Sequence, residues 1–109
     1  MLIIDGHKIT LTRGDTMTIV VTIMKDNEPY EIQEGDSIRF ALSTGYKAGP
    51  GYTLILSKEI PTDTLTFTLS SAETELAYRN YNYDIEITHS DGSVDTFISS
   101  TLRIIGEVK

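Results

Sequence analysis

Apolar and polar residues alternate in six separate stretches of this 109-residue chain, and this alternation restricts the fold more than any other feature. The stretches cover residues 8–12, 18–23, 37–42, 53–60, 65–69 and 83–88. Ile, Val and Thr account for 33 of the 109 residues, and their stiff, branched side chains fit a pleated sheet better than a helix. The sequence therefore predicts strands that each bury one face and expose the other.

Turn residues separate these stretches. Asp91-Gly92 is the strongest hairpin signal, because both residues tolerate the positive φ of a tight turn. Ser70-x-x-Glu73 is a capping box and predicts one helical turn between two strands. The last strand is expected over about residues 94–105. Phe97 and Leu102 cannot share a face of it without a bulge, which we expect at Ser99-Ser100.

About seven strands at this spacing predict an all-β fold, namely an immunoglobulin-like antiparallel β-sandwich with one short helical turn. The length fits a single domain over residues 1–109. Tyr83 follows the helical turn near the start of the next strand, where a tyrosine corner bonds back to upstream backbone, so we expect Tyr83 to form that corner. A small β-barrel would show the same alternation and is the structural alternative.

Composition excludes several classes of function. The formal charge of −7 repels phosphate backbones, so nucleic acid is not an expected partner. No apolar run approaches the ~20 residues of a membrane helix, and no membrane partner is expected. Cysteine is absent, so disulfides and thiolate metal sites are excluded.

Catalytic and metal-binding chemistry is not indicated. The two histidines, His7 and His89, lie at predicted strand ends and are expected to be exposed polar residues. No G-x-S-x-G, H-E-x-x-H or Walker sequence is present, and the 16 acidic residues are dispersed along the chain. We therefore expect no enzymatic activity, no catalytic residue, no cofactor and no metal.

The stretch from Ser43 to Tyr52 contains three glycines and a proline, which predicts a surface loop. Tyr46 and Tyr52 lie in it, and loop tyrosines offer a large contact area at small entropic cost. They are the candidate partner-binding residues. Tyrosines that fold back on the sandwich would give the same pattern.

Several turn and strand sequences together resemble a family of small phage and prophage structural proteins from Gram-positive bacteria. They are Arg13-Gly14-Asp15-Thr16 with the TIVVTI strand, Gly35-Asp36-Ser37-Ile38-Arg39-Phe40, Ile60-Pro61-Thr62-Asp63, Tyr81-Asn82-Tyr83-Asp84-Ile85-Glu86, Asp91-Gly92-Ser93-Val94-Asp95-Thr96-Phe97-Ile98 and Gly106-Glu107-Val108. The opening is also similar to the immunoglobulin-like N-terminal domain of phage baseplate upper proteins. The resemblance runs from about Ile9 onward and implies a phage origin with a virion or assembly role.

The expected function is therefore that of a non-enzymatic virion or assembly protein: a tail, baseplate or capsid-decorating module that contacts other phage structural proteins. Such a protein would be made in the bacterial cytoplasm and become a virion component. The alternative is a carbohydrate- or surface-binding module of an adhesin, with Tyr46 and Tyr52 as its aromatic platform. Unpaired strand edges and apolar terminal segments also predict a weak homo-oligomer.

Overall fold

A computed structural model describes residues 2–25, 27–45 and 51–106 of the chain, and this part of the chain forms strands and turns without a helix. Ten strands follow one another in sequence: β1 (Leu2–Asp5), β2 (Lys8–Thr12), β3 (Met17–Val20), β4 (Met24–Lys25), β5 (Glu28–Pro29), β6 (Ser37–Thr44), β7 (Thr53–Ile60), β8 (Thr66–Leu69), β9 (Arg79–Thr88) and β10 (Val94–Ile105). The all-β prediction is confirmed.

The strands form one large sheet and two small ones. The large sheet has the order β1-β2-β10-β9-β6-β7, β3 pairs with β8, and β4 pairs with β5. The β3–β8 pair packs on the large sheet, as shown by the rings of Phe40 on β6 and Phe67 on β8, whose centroids are 4.7 Å apart. The order β10-β9-β6, facing β3–β8, is that of an immunoglobulin-like sandwich.

The core lies between these two layers and follows the alternation seen in the sequence. In β9, every second residue from Tyr81 to Ile87 is buried, and in β6 Ile38, Phe40 and Leu42 are fully buried. The remaining buried apolar residues are Ile9, Leu11, Met17, Val21, Ile23, Ile60, Phe67, Leu69, Leu102 and Ile104.

Two details of the predicted architecture were wrong. The sandwich is not wholly antiparallel, because β10 pairs with β2 in parallel, with Leu102 opposite Ile9 and Ile105 opposite Thr12. The described residues form ten strands rather than about seven, because β1 folds back on β2 and the two-residue strands β4 and β5 form a small hairpin. Alternation within single strands carries no information on either pairing, since both depend on which edges meet in space.

The bulge in the last strand lies at Phe97 rather than at Ser99-Ser100. The register of β10 against β9 shifts between Thr96 and Ile98, so Phe97 is the extra residue. The shift places the even-numbered Ile98, Leu102 and Ile104 toward the core, while the Phe97 ring packs on Tyr30 at 5.9 Å. The alternation in this strand indicated that a bulge is needed, but it did not indicate that the Phe97 ring packs on Tyr30.

Both short-range turn predictions are confirmed. The Ser70 amide bonds Glu73 Oε1 at 2.9 Å and the Glu73 amide bonds Ser70 Oγ at 3.2 Å, which is the predicted capping box. The Thr74 amide then closes a single helical turn on the Ser70 carbonyl. In the hairpin, Gly92 has φ of 88°, and the Ser93 amide bonds the Asp91 carboxylate at 2.9 Å.

Candidate functional site

The two candidate partner-binding tyrosines are not seen together. Tyr52 is half-buried immediately before β7, and Tyr46 lies outside the described residues. Gly45 and Gly51 both have positive φ, and a Cβ on Gly45 would come within 2.9 Å of the Gly51 carbonyl oxygen. The two chain segments therefore meet closely at the base of this loop, while a recognition surface made of Tyr46 and Tyr52 stays a prediction.

The tyrosine corner is formed by Tyr81, and the prediction that Tyr83 forms it was wrong. The Tyr81 hydroxyl donates to the carbonyl of Ala77, four residues upstream, at 2.8 Å. Both tyrosines are buried on the same face of β9, because they are two residues apart. Tyr81 is the one nearer the preceding turn, so only its hydroxyl reaches the backbone there.

Tyr83 has a different structural role. Its hydroxyl donates to the carbonyl of His7, in the turn between β1 and β2. This hydrogen bond joins that turn to β9. Burial of the ring raises the pKa of Tyr83. This long-range bond joins parts of the chain that no local sequence pattern relates.

A candidate binding surface is the outer edge of β3. Within the described residues β3 pairs only with β8, with Ile19 opposite Phe67, and the Val21 amide bonds the Leu65 carbonyl at 2.7 Å. In an antiparallel ladder, successive residues direct their amide and carbonyl groups to opposite sides. Since Val21 and Ile19 bond toward β8, the backbone groups of Thr18 and Val20 point to the outer edge.

This edge has none of the features that block strand addition. Residues 17–24 read MTIVVTIM and contain no charge and no proline. Thr18 and Val20 are exposed, and Val20 is 70% accessible. Edge strands of monomeric proteins ordinarily have lysine, proline or a bulge, so β3 is a template for a further strand.

An apolar groove of about 230 Å³ runs beside the same edge. Its lining includes residues 19–22 and, from the β1–β2 turn, Gly6 and His7. The core contributes the rest of the lining: Ile9, Phe67, Tyr83, Ile85 and Ile98. A strand added at β3 would place alternate side chains over this groove.

The other edge of the small sheet is covered. The Lys58 ammonium group donates to the Thr68 carbonyl on β8 at 3.0 Å and forms an ion pair with Glu73 at 2.7 Å. Lys58 and the neighbouring Glu59 lie on β7, one of the two edge strands of the large sheet, so that edge has charged side chains too. The uncharged edge of β3 therefore contrasts with both.

A cluster of polar side chains that no sequence pattern indicates surrounds His89. His89 Nδ1 lies 3.0 Å from Asp36 Oδ1, and His89 Nε2 lies 2.8 Å from Asp95 Oδ2. Asp36 Oδ2 accepts from the Tyr30 hydroxyl and from the Gln33 amide, each at 2.8 Å. The expectation that His89 is a simple exposed residue was wrong, because its ring is largely covered and bonded on both sides.

The electrostatics of this cluster agree with its geometry. The hydrogen bonds to Asp95 and Asp36 raise the pKa of His89 above 6.5. The Gln33 amide, with smaller contributions from His89 and Tyr30, lowers the pKa of Asp36 below 3.8. The cluster thus favours an imidazolium between two carboxylates.

This arrangement is not suited to general-base catalysis, because both ring nitrogens of His89 are bonded to carboxylates. In the described part of the chain, no group of three or more His, Cys, Asp or Glu side chains could hold a metal ion. Only the proximity of Asp36 to Gly35 hinted at a turn here. Nothing in the sequence related Asp36 to His89, which is 53 residues away.

Comparison of the sequence with protein-family models and with curated proteins found no match. Among residues 2–25, 27–45 and 51–106 there is no helix of the length and apolarity needed to cross a membrane.

Proposed function

We propose that this chain is a non-enzymatic structural or assembly protein of a phage or prophage, and that it binds a neighbouring virion subunit by strand addition at β3. The observation that carries the proposal is the uncharged outer edge of β3 beside an apolar groove. The phage context comes from the resemblance of its turn and strand sequences to small phage structural proteins.

The occupant that fits this edge is an extended, uncharged segment of another subunit. Its backbone would bond Thr18 and Val20, which have exposed side chains and outward-facing amide and carbonyl groups. Its alternate side chains would be apolar, because the groove beneath is lined mostly by Ile, Val and Phe. Acidic segments are disfavoured, since the chain itself has a formal charge of −7.

The first experiment is mass spectrometry of particles purified from a culture that expresses the chain together with its phage or prophage. We expect the intact polypeptide in stoichiometric amounts that persist through a density gradient. If the polypeptide is present in the lysate but absent from the particles, the proposal that it is a virion component is contradicted. Analysis of incomplete particles would then test whether it acts during assembly.

The second experiment locates the contact. The chain has no cysteine, so Val20→Cys introduces a unique thiol that can be labelled with a photo-crosslinker. Val94→Cys is the matched control, because Val94 is also an exposed strand valine (52% against 70%) but lies on β10. We expect a covalent adduct with a second virion polypeptide from Val20→Cys only. Equal adducts from both positions would show that β3 is not the binding edge.

A further inference from the structure

The His89 cluster has a chemical property that is independent of strand addition at β3. Both ring nitrogens face carboxylate oxygens, and a carboxylate only accepts hydrogen bonds. Neutral imidazole has one N–H, so it satisfies one of these contacts and directs a lone pair at the other carboxylate. Only the imidazolium, with two N–H donors, satisfies both at once.

The charges around the ring also favour the imidazolium form of His89. The acidic groups that face His89 come from three elements: Asp36 from the segment before β6, Asp91 from the hairpin turn, and Asp95 from β10. The Tyr30 phenol packs edge-on at 6.2 Å and stays neutral here, since its bond to Asp36 raises its pKa. Loss of the imidazolium proton therefore leaves three carboxylates without the cation between them.

The contacts also show what the cluster holds in place. Asp36 is almost wholly covered, with 2% of its side chain exposed, and it joins residues 30–36 to His89. Gly35 in the same segment packs so closely on the hairpin turn that a Cβ there would lie 2.7 Å from Ser90 Cβ. The segment thus rests on the turn formed by residues 89–93, with His89 as its bonded contact.

We propose that His89 with Asp36 and Asp95 is an acid-strengthened clasp: while the imidazole is protonated it holds residues 30–36 against the β9–β10 turn, and loss of the proton loosens them. The Tyr30 amide bonds the Ile23 carbonyl at 2.9 Å, so the clasp also anchors the far end of the uncharged stretch 17–24. A rise in pH through neutrality is then expected to mobilise this end of the sandwich while the core stays closed.

Amide hydrogen exchange with NMR detection tests the clasp on the isolated protein, so the result is independent of any virion partner. The reporting amides are those of Gln33 and Asp36, which bond within the segment, and the reference amide is that of Val21, in the core. After correction for intrinsic exchange, protection at Gln33 should fall between pH 5.5 and pH 8. The protection factor should fall tenfold for each unit by which the pKa of His89 in the clasped state exceeds its pKa in the open state.

Two variants complete the test. His89→Gln should remove the pH dependence at Gln33, whereas His7→Gln, which changes the exposed histidine, should keep it. If His89→Gln fails to fold, Asp95→Asn serves instead, because Asp95 is half-exposed, and it should lower the His89 titration midpoint measured by NMR. Protection at Gln33 that does not change with pH in the unmodified protein, or that changes equally in His89→Gln, would overturn the proposal. An unchanged His89 midpoint in Asp95→Asn would overturn it too.

Discussion

The buried hydroxyl of Thr74 donates to the carbonyl of Asp15 at 2.8 Å and joins the helical turn before β9 to the turn between β2 and β3. The Gly14 amide bonds the Thr74 carbonyl in return, at 3.4 Å. Thr74 thus links two connections that lie 59 residues apart in the sequence. The Arg13-Gly14-Asp15-Thr16 turn is therefore bonded to a connection that is distant in the sequence.

Thr74→Val should therefore destabilise the protein by about 1–2 kcal/mol, because it keeps the shape and leaves a part-buried carbonyl without its donor. Thr68→Val is the matched control, since Thr68 bonds Thr18 on the exposed face of the small sheet, and it should change stability by less than about 0.5 kcal/mol. Urea unfolding followed by circular dichroism measures both. Equal costs would mean that the Thr74 bond contributes nothing beyond an exposed one.

Tyr81→Phe and Tyr83→Phe should each cost about 1 kcal/mol, since each removes one hydrogen bond from a buried hydroxyl to a backbone carbonyl. Their local effects should differ. Loss of the Tyr81 hydroxyl should increase hydrogen exchange in the turn before β9, and loss of the Tyr83 hydroxyl should increase it in the β1–β2 turn. The reverse pattern would contradict the assignment of the corner to Tyr81.

Much of the fold is predictable because burial alternates along single strands. The alternate burial from Tyr81 to Ile87 and the capping box at Ser70 and Glu73 depend on residues close in sequence, and the structure contains both. The parallel pairing of Leu102 with Ile9, the bulge at Phe97 and the His89 cluster were not predictable. Each depends on contacts between residues far apart in sequence, and period-2 alternation is the same whichever neighbour a strand acquires.

Stability should be greatest in mildly acidic solution. The raised pKa of His89 means that its stabilisation is fully present below pH 6.5 and is lost as pH rises through the folded-state value. The lowered pKa values of Asp36 and Asp91 stabilise above about pH 3.8, and that contribution is lost as pH falls through their folded-state values. Urea midpoints should therefore decline from pH 6 to pH 8.5.

His89→Gln separates this effect from the general repulsion of an acidic chain. Its midpoint should change less over the same pH range than that of the unmodified protein. An identical decline in both would assign the pH dependence to net charge rather than to His89.

Self-association through β3 should strengthen with salt. The formal charge of −7 opposes contact between copies, and screening at ~0.5 M salt reduces that repulsion. Light scattering should show a larger oligomer fraction at high salt, and Val20→Lys should abolish it whereas Val94→Lys should not. A monomer at every salt concentration would contradict self-association through β3. Binding of a different subunit at β3 would then be the only form of the proposal to test. Deletion of residues 1–4 is a poorer test, because β1 covers β2 within its own chain.

Gly35→Ala should destabilise the protein more than Gly6→Ala. Both glycines have positive φ, which costs alanine about 1 kcal/mol, but only Gly35 lies against Ser90. The Gly35 variant must also move the hairpin turn, so a total cost of about 2–3 kcal/mol is expected. Combining it with Ser90→Gly should recover part of the loss, and no recovery would show that the close approach is not the cause.

The parallel pairing of β10 with β2 has a consequence for how the chain is made on the ribosome. Strand β10 fills the gap between β9 and β2, so the large sheet stays in two parts until residues 94–105 have left the exit tunnel. Contacts between sequence-distant strands form slowly, because the entropy of closing a long loop is lost before the pairing energy is gained. The facing edges of β2 and β9 are therefore bare during synthesis, and nascent chains on neighbouring ribosomes can pair there. We expect ribosome-associated chaperones to bind this intermediate rather than the finished sandwich.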